Sequence, residues 1–386
     1  MWRNLASNLL TVLIVALVGV AALIAWGQQQ YVAEGPLTEP ICLQVPRGGS
    51  MAVVAEDLAA KGAISNATIY RLGASYSGKS PALKAGSFLI EEGTSMQAIL
   101  DEITGDGLST CGTEVVYLIA VNGLTKRVRE LNPTSQEFET TAEFDPSVEG
   151  EKPAKYVEAL EDVATRIRVI VVEGVTSWQV VNGLRASDLF EGEVAAVPAE
   201  GSLAPDGYEI RPGMDRATFL ADMAASQARI LELAWAERSD LTPVETPEEA
   251  LILASIIEKE TAIGEERTLV ASVFSNRLKR GIKLQTDPTV IYGVTEGKTV
   301  LGRGLRQSEL RAETPWNTYV IDGLPPTPIA NPGRASIEAA LNPAESDFIF
   351  FVAKTLDPRD GHNFAVTLDE HNRNVAAYRA LERANQ

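Results

Sequence analysis

Two carboxylates, Glu258 and Glu260, stand near the end of a predicted helix in the C-terminal part of the chain. At about 100° per residue, Glu260 shares one face with Ile256 and Ile257, whereas Glu258 lies nearly opposite. A carboxylate within an apolar stripe costs free energy unless it has a partner or a purpose. Desolvation and the negative end of the helix dipole would both raise its pKa. An acid that keeps its proton near neutral pH suits general acid catalysis, such as protonation of a glycosidic oxygen, so Glu260 is the predicted catalytic residue.

The same position leaves a second interpretation of Glu260 open. A buried glutamate can instead belong to an ion pair, and Arg267 and Arg277 follow closely enough in the sequence to be its partners. Buried ion pairs also perturb pKa values. Helical spacing alone therefore does not distinguish a catalytic acid from a structural carboxylate.

The segment IKLQTDPTVIYG supplies further polar groups that could line a cleft. We predict that it is extended, which places Gln285 and Asp287 on the same side of the chain. A strand of this kind could present both side chains to sugar hydroxyls. The alternative is an ordinary strand and turn, fixed by Asp287 and Pro288.

The helix that carries Glu260 has a well-defined predicted start. Thr246 can cap it, Pro247 fits its first turn, and Glu249 completes a T-x-x-E capping box. A second amphipathic helix follows and stops at Gly281. The sequence therefore predicts a helical frame around the candidate acid.

Composition excludes several classes of function. With 386 residues and 45% hydrophobic content the chain is globular, with two or three domains. Its net charge of −18 argues against nucleic acid as a partner. Cys42 and Cys111 could form one disulfide on the exported side of a membrane, or remain two buried thiols. Since the only histidines are His362 and His371, neither a structural zinc site nor a multi-histidine metal centre is expected.

The N-terminal region contains an uncharged apolar run from Leu9 to Trp26, long enough for a helix that crosses a bilayer. Arg3 precedes this run and acidic sequence follows it, so the positive-inside rule keeps the N-terminus in the cytoplasm. The alternative is a cleaved signal peptide, because the small residues Ala25 and Gly27 lie nearby. Either interpretation places the rest of the protein on the exported side.

Hydrophobic periodicity predicts an α+β fold built from several modules. The first has the order strand, helix, helix, strand. An acidic stretch with some β character then reads as an exposed insertion, and a second strand leads into a helix much as the first module begins. The predicted organisation is a cytoplasmic tail (1–8), a transmembrane helix (9–27), a linker (28–40), a first module (41–107), an acidic insertion (108–165), a second small α/β module with a connecting helix (166–245) and a catalytic domain (246–386).

Five strings of the C-terminal region resemble the endolytic transglycosylase family known as MltG or YceG-like. The strings are LASIIEKET, VASVFSNRL, LQTDPTVIYG, ETPWNTYVIDGLPPTPIANPG and the GHNF…HN ending, all between Leu251 and Asn372. The resemblance implies a membrane anchor, a LysM-like first module and a mixed α/β catalytic lobe with a lysozyme-like catalytic helix. The stretch 108–165 departs from the compact family pattern.

The resemblance also implies a set of site residues. Glu260, the glutamate of the Glu-Thr pair, would be the catalytic acid and base, which is the residue that the helical face favours. At Asn363 this sequence departs from the family, which often has a different residue at that position. The other implied cleft residues are Gln285, Asp287, Tyr292, Asn317, Tyr319, Asn331 and His362.

The implied reaction is cleavage of the MurNAc–GlcNAc bond of peptidoglycan with formation of a 1,6-anhydro-MurNAc end, without metal or cofactor. Two alternatives remain open: a muramidase in which Asp287 is the second carboxylate, and a non-catalytic glycan-binding anchor. A single-pass anchor in the inner (plasma) membrane would place the catalytic domain on the periplasmic side, close to nascent strands. Termination of strand elongation and contact with penicillin-binding synthases are implied in the same way.

Overall fold

The computed structural model of the chain describes residues 2–46, 48–105, 110–162 and 164–385, with side chains from Thr11 onward. Met1 and the predicted module boundary at 107–108 lie outside the described residues. The chain divides into two compact units, and each is described by itself. The first unit comprises Met1–Val116, Arg127–Phe144 and Gly150–Ile167, and the second comprises Tyr117–Lys126, Asp145–Glu149 and Arg168–Gln386.

The first helix, α1 (Trp2–Val32), contains the predicted transmembrane segment. Its stretch Thr11–Val32 is 22 residues long and apolar enough to cross a membrane, and none of its most apolar window is buried within the protein. The helix continues beyond the predicted end of the span, so residues 28–32 are helical and do not belong to the linker as expected. The three glutamines of this stretch are compatible with helix, so polarity alone does not mark the end of α1.

The rest of the first unit begins with the predicted order strand, helix, helix, strand, and a further helix follows. β1 and β2 pair antiparallel. Side chains of Ser50, Asn66 and Ser95 cap the three helices by accepting backbone N–H bonds. The helices and strands enclose one apolar core that includes Leu43 and Phe88. The elements are β1 (Ile41–Val45), α2 (Met51–Ala60), α3 (Ala67–Tyr76), β2 (Gly86–Ile90) and α4 (Met96–Thr104).

Cys42 and Cys111 form a disulfide, which decides between the two sequence interpretations of these residues. Their Cα atoms are 5.6 Å apart and 69 positions separate them in the chain. Closing a loop of that length restricts the unfolded chain, so we expect the Cys42→Ser, Cys111→Ser variant to lose roughly 3–4 kcal/mol of unfolding free energy. Chemical denaturation with and without reductant measures this difference. Reductant should not change the unfolding free energy of the doubly substituted variant. If reductant lowers this free energy as much in that variant as in the wild type, the assignment is contradicted.

The stretch predicted to be an exposed acidic insertion contains much more regular structure than expected. β3 is a central strand, with Val115, Val116, Tyr117 and Ile119 buried, because its β-branched and aromatic residues pack on both faces of a sheet. β5 is largely exposed, as the composition indicated. The domain boundaries themselves remain predictions. The elements are β3 (Thr113–Ala120), β4 (Gly123–Asn132), β5 (Glu137–Phe144) and α5 (Ala154–Glu161).

A five-stranded sheet has the strand order β5-β4-β3-β6-β8. The predicted strand leading into a helix is confirmed as β6 and α6, and Thr176 begins α6 with a complete capping box to Gln179. The long connecting helix is confirmed as α7. The elements are β6 (Arg166–Val171), α6 (Ser177–Ala186), β7 (Phe190–Glu191), β8 (Gly207–Ile210), β9 (Met214–Asp215) and α7 (Arg216–Ala236).

The C-terminal part of the second unit is built mainly from helices around one core. α8 packs against α7, α9, α10 and α12, and a small hairpin of β10 and β11 follows. The fold is thus a mixture of helices and small sheets, which confirms the predicted class at that level. The elements are α8 (Pro247–Glu260), α9 (Arg267–Lys279), α10 (Asp287–Thr295), α11 (Gln307–Leu310), α12 (Arg334–Leu341), β10 (Phe350–Ala353), β11 (His362–Ala365) and α13 (Leu368–Ala384).

The prediction of an extended segment through IKLQTDPTVIYG is wrong in its second half. Helix α10 begins at Asp287, with Pro288 in its first turn. Proline has a backbone angle suited to the first turn, and an aspartate there interacts favourably with the helix dipole. Gln285 and Asp287 therefore occupy a loop and a helix start, not one side of a strand.

Candidate active site

The helix that carries Glu260 starts as the sequence predicts, with one difference. Thr246 Oγ1 accepts a bond from Glu249 N (3.2 Å), but the Glu249 carboxylate accepts from Glu245 N (2.7 Å), not from the cap residue. The helix ends at Glu260, because Thr261 is extended. The candidate acid is thus the last residue of α8.

Both faces of α8 are covered by protein. Ile256 and Ile257 are buried on the predicted apolar face. On the other face, Ser255 is completely buried and accepts a bond from Ile329 N (3.0 Å), and Glu258 accepts one from Gly333 N (3.0 Å). The polar groups opposite Glu260 therefore hold neighbouring backbone, which fixes the helix end.

Glu260 is partly exposed at the end of this buried helix. Burial raises its pKa from the ordinary 4.5 to about 7. The hydroxyl of Thr286 donates a hydrogen bond to Oε1 and opposes this rise. The carboxylate of Asp287 raises the pKa further and the charge of Arg277 lowers it. The carboxyl is therefore poised to exchange a proton near neutral pH.

Neither candidate arginine forms an ion pair with Glu260. Arg277 donates to the backbone carbonyls of Ile349 (2.6 Å) and Leu284 (2.9 Å). Arg267 pairs with Glu173 at 3.7 Å. Across the described part of the chain no cationic side chain is paired with Glu260. The ion-pair interpretation of this residue is therefore wrong.

The loop before α10 holds Thr286 against Glu260. Gln285 has a positive φ of 50°, a conformation that is strained for a residue with a side chain. Two bonds to Thr318 hold the loop: Gln285 N donates to its carbonyl (3.1 Å) and Thr286 N to its hydroxyl (3.0 Å). The hydroxyls of Thr289 and Thr318 are also bonded, at 2.9 Å. Sequence reasoning missed Thr286 and Thr318, although Thr286 lies between two residues that it selected.

Asp287 and Tyr319 form a second pair beside the acid. The Tyr319 hydroxyl donates to Asp287 Oδ1 at 2.7 Å. Burial, followed by the bond to Asp287, raises the pKa of Tyr319, so the phenol remains a hydrogen-bond donor. Gln285 and Asp287 are exposed, and Arg277 contacts Gln285 Oε1 at 3.5 Å. Of the predicted residues, Gln285, Asp287 and Tyr319 are thus brought close to Glu260.

Tyr292 belongs to a different group of contacts. Its hydroxyl donates to Glu200 Oε2 (3.2 Å), and its ring packs 5.6 Å from that of Trp316. Glu200 also accepts a bond from Ser177 N (2.8 Å), and burial raises its pKa. Glu200 lies in a loop before Gly201, where no hydrophobic periodicity could single it out.

Asn317 and Asn331 are completely buried, which corrects their prediction as cleft residues. The Asn317 amide donates to the carbonyl of Ala312 (2.7 Å) and to two others of the preceding turn. The Asn331 amide donates to Val175 O (2.9 Å) and accepts from Leu203 N (3.0 Å). In both residues the polar atoms are used to position backbone and do not face a cleft.

Asn331→Ala is therefore expected to reduce stability more than substrate affinity. The change leaves the buried N–H of Leu203 without its partner, which costs roughly 1–3 kcal/mol. Val175 O keeps the bond from the backbone N–H at position 331. Thermal and chemical unfolding measure the loss. Asn363→Ala, at a partly exposed residue, serves as the control and should cost much less. A large rise in KM without loss of stability would instead indicate contact with substrate.

His362 is held by an acidic residue that follows α8. Its Nδ1 lies 2.8 Å from Glu266 Oε2, and its backbone N donates to the same carboxylate. Although partial burial opposes the shift, these bonds from His362 lower the pKa of Glu266. The ring also packs on Phe351, 5.3 Å away. None of the described contacts joins His362 to Glu260.

The chemistry of this site rests on carboxyl, hydroxyl and amide groups. Within the residues that the structure describes, no cluster of three or more histidine, cysteine, aspartate or glutamate side chains could hold a metal ion. The arrangement offers one proton-exchanging carboxyl with a hydroxyl partner, beside a carboxylate, a phenol and an amide. Such a set is suited to acid and base catalysis on a polar substrate.

The chain is similar in sequence to proteins of one known family. The YceG-like family profile matches residues 43–377. An endolytic murein transglycosylase of Bacillus subtilis strain 168 is 27% identical over 347 residues, which cover 87% of this chain and 84% of that protein. One of Streptococcus pneumoniae strain R6 is 25% identical, over 88% of this chain and 58% of the relative. A crystal structure of a YceG-like protein from Listeria monocytogenes is 23% identical, covers 87% of this chain and 98% of its own, and has a TM-score of 0.46.

Proposed function

The chain belongs to the YceG-like family, and we propose from this membership and from the Glu260 site that it is an endolytic peptidoglycan lytic transglycosylase. The relatives over most of its length are named endolytic murein transglycosylases. The observation that carries the proposal is the Glu260 carboxyl itself. It is partly exposed and has no cationic partner in the described structure, and its pKa is raised to about 7.

In the first step, protonated Glu260 donates its proton to the glycosidic oxygen between MurNAc and GlcNAc. The bond from the anomeric carbon to that oxygen then breaks through an oxocarbenium-like state, and the GlcNAc side leaves as an alcohol. Since about half of the carboxyl groups carry a proton at a pH equal to the pKa, a value of about 7 supplies the acid form at neutral pH.

In the second step, Glu260 acts as a carboxylate base. It removes the proton from the C6 hydroxyl of the same MurNAc, and the oxygen of that hydroxyl bonds to the anomeric carbon. The product is a 1,6-anhydro-MurNAc end, and Glu260 regains the proton that it donated. No water is consumed, so no second carboxylate is required.

The residues around Glu260 support this cycle by orienting the acid and the sugar. The Thr286 hydroxyl fixes one carboxyl oxygen, leaving the other for the substrate. Gln285, Asp287 and Tyr319 are the proposed sugar-contacting groups, since the first two are exposed and Tyr319 bonds Asp287. Tyr292 and His362 remain proposed as more distant contacts. Preorganised groups of this kind reduce the cost of orienting the substrate.

The proposed setting is the outer side of the inner membrane. The apolar part of α1 would be a retained single-pass anchor with its N-terminus in the cytoplasm. The Cys42–Cys111 disulfide supports exposure to an oxidising compartment. The first module is proposed to be LysM-like and α8 to be a lysozyme-like catalytic helix. Action on nascent strands, termination of their elongation and contact with penicillin-binding synthases follow from that location.

End-group analysis of digested glycan tests the proposal. Purified strands incubated with the protein should yield products that end in 1,6-anhydro-MurNAc, detected by mass spectrometry. Reducing ends would instead indicate a muramidase in which Asp287 activates water, and a lack of products together with retained glycan binding would indicate a non-catalytic anchor. Either of these outcomes contradicts the proposed reaction.

A further inference from the structure

We propose that helix α3 seats the first unit on the phospholipid surface of the bilayer, with Leu72 and Tyr76 as the contacting side chains. The inference rests on the membrane anchoring given under the proposed function. It concerns a surface of the first unit, separate from the residues that perform the reaction.

The anchor helix meets the body of the first unit directly after its apolar run. That run ends at Trp26. From Gly27 onward α1 becomes partly buried, at Gly27, Gln30 and Tyr31, where it packs against α3 and α4. Since a helix rises 1.5 Å per residue, Gly27 and Tyr31 are only about 6 Å apart along the axis. The body therefore begins within about one helical turn of the apolar run, with no flexible tether between them.

The contact between α1 and α3 is close at one point. A Cβ atom added to Gly73 would lie 2.3 Å from Cε2 of Tyr31, so the tyrosine ring rests on the backbone of α3. Only glycine allows this approach, and it fixes which face of α3 is turned toward the anchor.

The same face of α3 carries exposed apolar side chains. Ile69, Leu72, Gly73 and Tyr76 recur at the spacing of one helical face. Tyr31 covers Gly73, whereas Leu72 is 65% and Tyr76 93% exposed. Leucine gains from entering the acyl boundary, and tyrosine is enriched at membrane interfaces because it has an apolar ring and a polar tip. These two side chains lie on either side of Gly73, the point of α3 that Tyr31 of α1 contacts.

A cavity beside this face is lined by groups that could bind a lipid headgroup. Its volume is about 380 Å³, and its lining includes Thr68, Arg71, Ser75 and Leu72. Arg71 is exposed and forms no ion pair among the described side chains. A guanidinium with neighbouring hydroxyls is suited to a phosphate group. Because the chain carries a net charge of −18, long-range attraction to an anionic surface is weak, and these local groups must supply the contact.

Fluorescence quenching in proteoliposomes tests whether Leu72 and Tyr76 contact the bilayer. Full-length protein is reconstituted as the Leu72→Cys, Tyr76→Cys or Leu381→Cys variant and labelled with an environment-sensitive fluorophore. The native cysteines are paired and do not react. Leu381 is 43% exposed on α13 of the second unit and serves as the matched control. With quencher lipids at the acyl boundary, we expect quenching at positions 72 and 76 to be at least about threefold stronger than at 381.

If the protein floats with the vesicles and quenching is equal at all three positions, the proposed contact of α3 with the bilayer is overturned. The anchor and the proposed reaction would remain intact. A response of the labels at 72 and 76 to soluble glycan fragments but not to quencher lipids would identify the glycan as the occupant and would equally overturn the contact with the bilayer. Failure of the protein to float with vesicles would remove the anchoring on which the inference rests. Cleavage of glycan by each labelled variant reports separately on the proposed function.

Discussion

Glu260→Gln is expected to reduce glycan cleavage by about 10³-fold or more, because the amide cannot donate or accept the transferred proton. The substitution preserves the size of the side chain, and the amide oxygen can still accept the bond from Thr286. Substrate binding should therefore change little. Release of 1,6-anhydro-MurNAc ends per unit time, measured by chromatography and mass spectrometry, gives the rate.

Glu258→Gln is the matched control for this substitution. It lies on the same turn of α8, and its carboxylate accepts a bond from Gly333 N, which an amide oxygen can also accept. Its activity should remain within about threefold of the wild type, since no transition-state charge depends on it. Comparable losses in both variants, or a Glu260→Gln rate within tenfold of the wild type, would rule out the assignment.

The raised pKa of Glu260 also provides a control for correct folding of the Glu260→Gln variant. The folded-state pKa of Glu260 is raised from 4.5 to about 7. The protonated carboxyl therefore stabilises the fold fully below about pH 4.5, and this contribution is lost as the pH rises through about 7. Glutamine cannot ionise, so Glu260→Gln should be more stable than the wild type above pH 7, by up to roughly 3 kcal/mol. Lost activity with gained stability separates a catalytic role from misfolding.

The sequence predicted the helix of the candidate acid well, because its signals are local. Thr246 and Pro247 mark the start of α8, and the period of its apolar residues identified the face that bears Glu260. The strand and helix order of the first module was equally readable. Local signals failed at Asp287, where an apparent alternation suggested a strand although Asp-Pro begins a helix.

Sequence could not distinguish polar residues that face a cleft from polar residues that hold the backbone. Asn317 and Asn331 lie in distinctive motifs, yet both are buried against carbonyls. Thr286 and Glu200 gave no periodic signal, because their importance depends on partners far along the chain. Glu200, for example, bonds Tyr292 across 92 positions. Tertiary contacts of this kind leave no trace in hydrophobic spacing.

Thr286→Val is expected to shift the pH dependence of cleavage and to lower its maximum. The wild-type acid must be protonated at the start of the cycle, so kcat/KM should fall as the pH rises through about 7. The Thr286 hydroxyl lowers the pKa of Glu260, and its removal should move this alkaline limb to higher pH. The maximum should fall by about 10- to 100-fold, because the carboxyl loses the bond that orients it. Profiles of kcat/KM against pH measure both effects.

Thr286→Ser provides the conservative comparison, since it keeps the donor and loses only a methyl group. Its profile should overlay that of the wild type, and its maximum should stay within about threefold. Thr289→Val tests the neighbouring hydroxyl, which donates to Thr286 O at 2.8 Å but does not touch the acid. That variant should lose stability without displacing the alkaline limb. If Thr286→Val leaves the limb where it is, Glu260 titrates independently of Thr286, and the fall in activity above neutral pH must come from another group.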